Sequence, residues 1–305
     1  MLKKLYQQEY KGGHIMSMRI YTMTHKKFTP LPDPLYVPLH VGRACGENLG
    51  YLGDDTGEQI SALNCYYSEL TGFYWIWKNC HDADYVGTCH YRRYLINEKE
   101  QIYTEKEYRE LLRKYDLVTT KKVLLNNSYY DGFLANHNIR ALEMTGKVIT
   151  EKYPEYADAF EQLVNGRQTY FGNILVTSKI LFDEYASWLF SIFFEVAERI
   201  ELETGEDAYH KRVFGFISEF LLLVWVTVKK LRVYECKVGM LGEKAETGEL
   251  KRCLAECFRN RDVDLAKKIF LETREKRPDV LMEASDITGE LHPVSYTHLT
   301  LPTNS

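Results

Sequence analysis

The chain has 305 residues, 45% of them hydrophobic and 27% charged, which is the balance of a globular protein with one large or two ordinary domains. A net charge of -4 argues against a nucleic-acid-binding protein, which usually carries a dense basic face. The seven cysteines contain no CxxC pair, so we predict free thiols in a reducing compartment rather than disulfides or a zinc site.

The first half of the chain begins with a strand and a long connection. Residues 18–26 are β-rich and apolar and then turn polar, which predicts a first strand followed by a loop. A connection rich in Pro, Gly and Asp follows, and connections of that length are usually functional or mobile. Residues 60–80 then carry an apolar stripe at helical spacing, which predicts one helix. The stripe consists of Tyr66, Leu70, Phe73 and Trp77.

Strands and helices continue to alternate beyond this helix. Residues 138–164 predict one or two helices, with Pro154 starting the second. Residues 207–228 predict a deeply buried helix, because its second half is apolar all round. The remaining predicted elements are strands at 85–89, 116–120, 168–178 and 232–238 and helices at 106–115 and 180–200.

This alternation predicts an α/β domain with a mostly parallel central sheet over residues 18–240. Residues 1–17 precede the first strand and are interpreted as an N-terminal extension. Residues 243–292 are polar and show two short helical patterns without strands, so we predict a small helical appendage. Residues 293–305 fit neither pattern, and we interpret them as a disordered, non-native tail.

Two candidate sites flank the predicted strand Tyr85–Cys89. Asp82-Ala83-Asp84 precedes the strand, whereas His90 and the pair Arg92 and Arg93 follow it. Ligands of open α/β sheets bind beyond the carboxyl ends of strands, so we interpret the aspartates as solvated turn residues. The guanidinium groups suit phosphate oxygens and can neutralise a diphosphate as a metal ion would. A structural ion pair with neighbouring carboxylates is the plainer alternative.

Two loops offer further polar candidates. Thr24, His25 and Lys26 follow the first strand at the same edge of the sheet, a position that suits a nucleotide base or phosphate. Asp54 and Asp55 have the chemistry to bind sugar hydroxyls or a cation, although Asp-Gly stretches are more often plain turns. The absence of GxGxxG and GxxxxGK[ST] motifs argues against dehydrogenase and P-loop folds.

Two glutamates stand in apolar surroundings. Glu69 interrupts an aromatic helix, and Glu219 lies among large apolar residues of the buried helix. Burying an unpaired carboxylate costs several kcal/mol. Each is therefore either paired, with Arg212 or Arg92, or retained with a raised pKa for catalysis or substrate binding. His137 is a lone histidine near a helix start, for which a structural role is the default and ligand contact the alternative.

Several of these segments together resemble a bacterial family catalogued as a domain of unknown function and found among capsular and exopolysaccharide glycosyltransferases. The most specific are "ELTGFYWIWKN" (69–79), "GTCHYRRYL" (87–95) and "RVFGFISE" (212–219), and the resemblance covers most of 18–235 in order. It implies a GT-A-like nucleotide-sugar-binding fold. It also implies transfer of a sugar to a polysaccharide acceptor that is usually lipid-linked, with "HYRRY" in the place where metal-dependent relatives carry Asp-x-Asp.

The resemblance and the residues together predict a glycosyltransferase acting in capsule, exopolysaccharide or lipopolysaccharide synthesis. The nucleotide sugar would lie across the first-strand loop, with Asp54, Asp55 and Glu69 as further donor ligands and its diphosphate near His90, Arg92 and Arg93. The acceptor would enter near Asn173 and His137. Glu219 would be the catalytic base if the enzyme inverts, and a sugar-positioning residue if it retains.

Two other function classes stay open. A sugar- or nucleotide-binding module would use the many aromatic rings without turnover. A nucleotidyl or phosphoryl transferase should need a carboxylate-bound metal after a strand, and the sequence shows none in that position. We expect no essential cofactor or divalent metal and no nucleic-acid partner. The sequence start lacks the apolar segment of a signal peptide and the run 220–228 is too short to span a bilayer, so we predict a cytoplasmic protein with at most peripheral membrane contact.

Overall fold

A computed structural model describes residues 17–202, 211–242, 245–276 and 291–293. Most of the predicted extension, residues 1–16, and most of the predicted tail, residues 294–305, lie outside the described residues.

Strands and helices alternate through most of this part of the chain. The strands are β1 (Met18–Thr24), β2 (Tyr36–His40), β3 (Leu52–Gly53), β4 (Tyr85–His90), β5 (Arg93–Ile96), β6 (Leu117–Thr120), β7 (Val123–Leu124), β8 (Gln168–Thr169), β9 (Leu175–Ser178), β10 (Val233–Met240) and β11 (Leu291–Pro293). The α-helices are α1 (Asn64–Tyr67), α2 (Leu70–Asn79), α3 (Glu105–Leu112), α4 (Tyr129–Asn136), α5 (Ile139–Lys152), α6 (Ala157–Val164), α7 (Lys179–Arg199), α8 (Val213–Lys229), α9 (Ala245–Arg259) and α10 (Val263–Lys276).

The central sheet is mixed, so the predicted mostly parallel sheet is not confirmed. Its strand order is β11-β10-β6-β9-β4-β1-β2-β3, with β5 pairing both β10 and β4. Strand β4 runs parallel to β1, and β6 runs parallel to β10. Strand β9 lies antiparallel between β4 and β6, and β5 is antiparallel to both of its partners. The amino end of β9 therefore meets the carboxyl ends of β4 and β6.

Apolar side chains alternate between the two faces of the sheet, as strand geometry requires. In β1, Tyr21 and Met23 join the larger core, which α2, α7 and α8 cover. Ile20 lies on the opposite face in a smaller core, which α3 covers with Tyr108 and Leu112. Helix α3 begins with a capping box, in which Thr104 and Glu107 satisfy free backbone N–H groups.

The predicted helix 60–80 is interrupted. It divides into a 3-10 turn, α1 and α2, and the break lies at Ser68, which has a φ of 51°. The start of α8 packs closely against this break: a Cβ atom added to Gly215 would lie only 3.1 Å from the Ser68 Oγ atom. The break places Glu69 at the N-cap of α2.

The predicted strand 168–178 is likewise two strands, β8 and β9, separated by a loop over residues 170–174. Gly172 and Asn173 in this loop have φ values of 87° and 48°. Consecutive left-handed residues end one strand and redirect the chain, so a continuous strand was the wrong prediction. Strands β2 and β3 also lie inside the connection that the sequence predicts as a loop.

The predicted appendage contains two helices, α9 and α10, which pack against each other. Strand β11 follows them and pairs in parallel with β10, so the segment 243–292 is not strandless and the boundary at 293 falls inside this strand. Within the described residues, none of the helices combines the length and apolar composition needed to cross a bilayer.

Candidate functional site

The candidate site lies at the edge of the sheet where β1 and β4 end. Met23 and His90 are paired across the two strands, and the Tyr91 N–H donates to the Met23 carbonyl over 3.1 Å. His90 is also paired with Arg93, so residues 91 and 92 form a two-residue connection between β4 and β5. The loop before β9 meets the same edge. His90, the β4–β5 turn and the loop before β9 therefore lie at the edge of the sheet for which the strand polarity argument predicts the site.

Gly172, in the loop before β9, contacts two of the predicted site residues. Its N–H donates to Glu219 Oε1 over 2.6 Å, and its carbonyl lies 2.5 Å from His90 Nε2. A carbonyl only accepts, so Nε2 carries the imidazole proton and, in the neutral ring, Nδ1 is an acceptor. One backbone residue thus fixes both the carboxylate and the imidazole tautomer.

Asn173 connects the second carboxylate to this loop. Its Nδ2 donates to Glu69 Oε1 over 2.7 Å and to the Gly215 carbonyl over 3.1 Å, and its Oδ1 accepts from Ser218 Oγ over 2.9 Å. Asn173 is buried. The sequence predicts an acceptor ligand here, but a buried amide with these partners forms the wall of the site and positions Glu69.

Burial and the charge of Glu69 shift the pKa values of Glu219 and His90. Burial raises the pKa of Glu219 to about 8, and the negative charge of Glu69 adds to this effect. The Gly172 N–H and the guanidinium groups of Arg93 and Arg212 act in the opposite direction. Burial lowers the pKa of His90, and Glu69 opposes that shift. At neutral pH the site therefore holds a neutral imidazole and a mostly protonated Glu219.

Arg92 and Arg93 have different surroundings, because Arg92 lies in the hairpin turn and Arg93 is the first residue of β5. Arg93 is close enough to influence the pKa of both Glu219 and His90. Arg92 instead donates from Nη2 to the carbonyl of Gly242 over 3.2 Å, and its own carbonyl accepts from the Leu241 N–H. Arg93 thus acts electrostatically on Glu219 and His90, whereas Arg92 contacts Gly242, just beyond the end of β10.

The predicted donor loop forms a compact turn beside the hairpin. The Thr24 Oγ1 atom donates to the Lys26 carbonyl and accepts from the Lys26 N–H, which closes the turn. The exposed His25 ring packs edge-on against the Tyr91 ring, with ring centroids 5.8 Å apart. The centroid of the Phe28 ring also lies 5.8 Å from that of Tyr91. The loop therefore presents polar groups and aromatic rings next to His90.

Asp54 and Asp55 organise the loop after β2. Asp54 is completely buried and accepts from the Gly42 N–H over 2.8 Å, from the Arg43 N–H and from Ser61 Oγ. Asp55 pairs with Arg43, with Nε and Oδ2 3.4 Å apart. A carboxylate with three internal donors is not available to a sugar, so the structure contradicts the prediction of Asp54 as a direct donor ligand.

His137 lies at the rim of the site. Its ring stacks on Phe216 with centroids 4.2 Å apart, and the Arg212 Cζ atom lies 5.7 Å from the Phe216 ring centroid. At the opposite end of β4, Asp82 pairs with Arg19 over 2.6 Å, and Asp84 accepts from the Ser17 N–H over 2.7 Å. These aspartates are turn residues on the side of the sheet away from the site.

Sequence reasoning named Arg212 only as an ion-pair partner and missed its place in the site. Arg212, Phe216 and Glu219 are spaced i, i+4 and i+7, which puts them on one face of α8. That spacing was the available signal. No comparable signal marked Gly172, because its contacts join segments far apart in the chain. Among the described residues, no group of three His, Cys, Asp or Glu side chains is arranged to hold a metal ion.

Comparison with solved structures finds the apo structure of the bifunctional glycosyltransferase WbbM, with a TM-score of 0.69 and 31% sequence identity. The match covers 74% of this chain and 46% of the WbbM chain, so this chain spans just under half the length of that relative. No curated protein matches the chain. Residues 19–230 match the family model described as a domain of unknown function, DUF4422. This match takes in more than half of the chain, which confirms the family resemblance seen in the sequence: the protein belongs to the DUF4422 family.

Proposed function

We propose that this protein is a glycosyltransferase that moves a sugar from a nucleotide-sugar donor to a saccharide acceptor in the synthesis of a capsular, extracellular or lipopolysaccharide glycan. The observation that carries the proposal is the convergence of Glu219, Glu69 and His90 on Gly172 and Asn173 at the carboxyl edge of β4. Arg93 and Arg212 are close enough to influence the charge of this group. The similarity to a bifunctional glycosyltransferase supports this chemistry.

The donor would occupy the β1 side of the site. The turn at Thr24–Lys26 and the rings of His25 and Tyr91 offer hydrogen bonds and aromatic surface to a nucleotide. Arg93 and Arg212 are the two cations that lower the pKa of Glu219, so we assign them to the diphosphate. Arg92 would support the hairpin through Gly242 rather than bind phosphate.

In the reaction one bond forms and one bond breaks at the anomeric carbon of the donor sugar. The acceptor hydroxyl oxygen attacks the anomeric carbon, and the bond from that carbon to the diphosphate oxygen breaks with its electron pair on the phosphate. In an inverting transfer the acceptor proton passes to the ionised fraction of Glu219, which grows as the pH approaches its pKa of about 8. Asn173 holds Glu69 in place through its side-chain amide. In a retaining transfer the departing diphosphate oxygen takes the acceptor proton, so no such base is needed and Glu219 positions the sugar. The anomeric configuration of the product, measured by NMR, distinguishes the two courses.

A panel of nucleotide sugars tests the proposal in two steps. The correct donor should raise the melting temperature by mass action, and added saccharide should then accelerate release of free nucleoside diphosphate. A pure binding module would show the first effect without the second, and this outcome would replace the proposed function by the binding alternative. For an inverting enzyme, Glu219→Gln should keep donor binding and lower turnover about 100-fold. Glu155→Gln, at an exposed position on the 3-10 turn before α6, is the matched control.

A further inference from the structure

The loop before β9 is fixed to its surroundings at every residue from 171 to 173. The Phe171 carbonyl accepts from Thr120 Oγ1 over 3.3 Å, and the Asn173 carbonyl accepts from Thr88 Oγ1 over 2.9 Å. Gly172 is held by Glu219 and His90 through its N–H and its carbonyl. The backbone of this loop is therefore positioned by the ends of β4 and β6 and by the candidate catalytic groups themselves.

Phe171 is exposed, whereas the other residues of the loop are buried. Tyr170 is buried and donates to Glu235, and Asn173 is buried against Glu69. Phe171 is 43% exposed although it is large and apolar. Single exposed apolar residues are common on protein surfaces. This one, however, is attached to the backbone residue that holds both Glu219 and His90.

The sheet order places Phe171 opposite the donor loop. Strand β4 lies between β1 and β9, so the loop after β1 and the loop before β9 flank His90 on opposite sides. The nucleotide is assigned to the β1 side. On the β9 side, the exposed Phe171 directly precedes Gly172, whose backbone contacts Glu219 and His90.

We propose that Phe171 is the stacking platform for the acceptor, and that the acceptor residue is a pyranoside. A pyranose ring has one face of C–H bonds that packs on an aromatic ring, while its hydroxyl groups remain directed towards polar partners. Phe171 would thereby orient the attacking hydroxyl towards Glu219. This inference rests on the proposed function for the direction of transfer, but the stacking contact itself is independent of turnover.

The contact is tested by saccharide binding, measured by saturation-transfer NMR with methyl pyranosides of glucose, galactose, mannose and N-acetylglucosamine in the presence of the bound nucleoside diphosphate. Glucitol is the ligand control, because it carries hydroxyl groups without a ring face. We expect Phe171→Ala to weaken pyranoside binding and raise the acceptor KM about tenfold, and Phe171→Tyr to retain both. Donor affinity should not change. Phe258→Ala is the matched control, since Phe258 is also an exposed phenylalanine (58%) but belongs to a different element, α9.

Unchanged pyranoside binding and KM in the Phe171→Ala chain would overturn the proposal, as would binding of glucitol as strong as that of the pyranosides. Failure of the proposed function gives a different result, namely no consumption of any donor by the unaltered chain. In that case the NMR comparison of the unaltered and Phe171→Ala chains still decides whether Phe171 binds a sugar ring, and absence of pyranoside binding to the unaltered chain rejects it.

Discussion

Replacing Glu219 by Gln should change how the stability of the protein depends on pH. Burial raises the pKa of Glu219 to about 8, whereas an exposed glutamate in an unfolded chain has a pKa of 4.5. Below pH 4.5 Glu219 is protonated in both the folded and the unfolded chain, so its ionisation does not change the free energy of unfolding. As the pH rises from 4.5 to about 8, the unfolded chain loses this proton while the folded chain keeps it, so the free energy of unfolding falls.

The size of the effect follows from the interval between the two pKa values. A difference of one pKa unit corresponds to about 1.4 kcal/mol, so the interval from 4.5 to about 8 gives a ceiling of about 5 kcal/mol. Glu219 is partly accessible, and screening by solvent reduces the value. We expect about 2–3 kcal/mol.

The assay is urea unfolding of the unaltered and Glu219→Gln chains at pH 5, 6.5 and 8.5. The variant should gain stability relative to the unaltered chain as the pH rises, and the gain should level off above about pH 8. Taking the difference between the two chains at each pH cancels the titration of groups that do not interact with Glu219. A difference that stays constant across the range would refute the raised pKa of Glu219, and the same trend in Glu155→Gln would refute its assignment to the buried site.

Four further outcomes are expected. Arg93→Ala should lower kcat/KM about 100-fold through lost stabilisation of the departing phosphate, and Arg92→Ala should lower it much less, as steady-state kinetics will measure. The double change of Asp82 and Asp84 to Asn should leave kcat/KM within about twofold, because both lie at the amino end of β4. Gly172→Ala should lower the free energy of unfolding by about 1 kcal/mol in urea titrations, since the residue has a φ of 87°. Turnover should survive a chelator, and its abolition would show that a metal ion supplies charge that we assign to guanidinium groups.

Local pattern was enough for several of the elements and for choosing the edge of the sheet at which we propose the site. Buried strands and amphipathic helices have short periods that depend on neighbouring residues, so β1, β4, α7 and α8 are predictable from sequence. The same logic places His90 after β4 and Asp82 before it. It also marks Glu219, because an acidic residue in an apolar helix is unusual wherever that helix packs.

Tertiary packing decided how those residues are used. The contacts of Gly172 with Glu219 and of Asn173 with Glu69 join positions 47 and 104 residues apart, and no local pattern specifies such pairs. The reversal that makes β9 antiparallel depends on two left-handed residues, of which only the glycine is a familiar turn signal. Burial likewise makes Asp54 an acceptor for the backbone of its own loop. The β4–β5 turn gives Arg92 and Arg93 different neighbours, Gly242 and Glu219 respectively. Sequence alone determined which groups were present at this edge of the sheet. Only the tertiary structure decided which of them face one another, because desolvation and hydrogen bonding depend on neighbours that are distant in the chain.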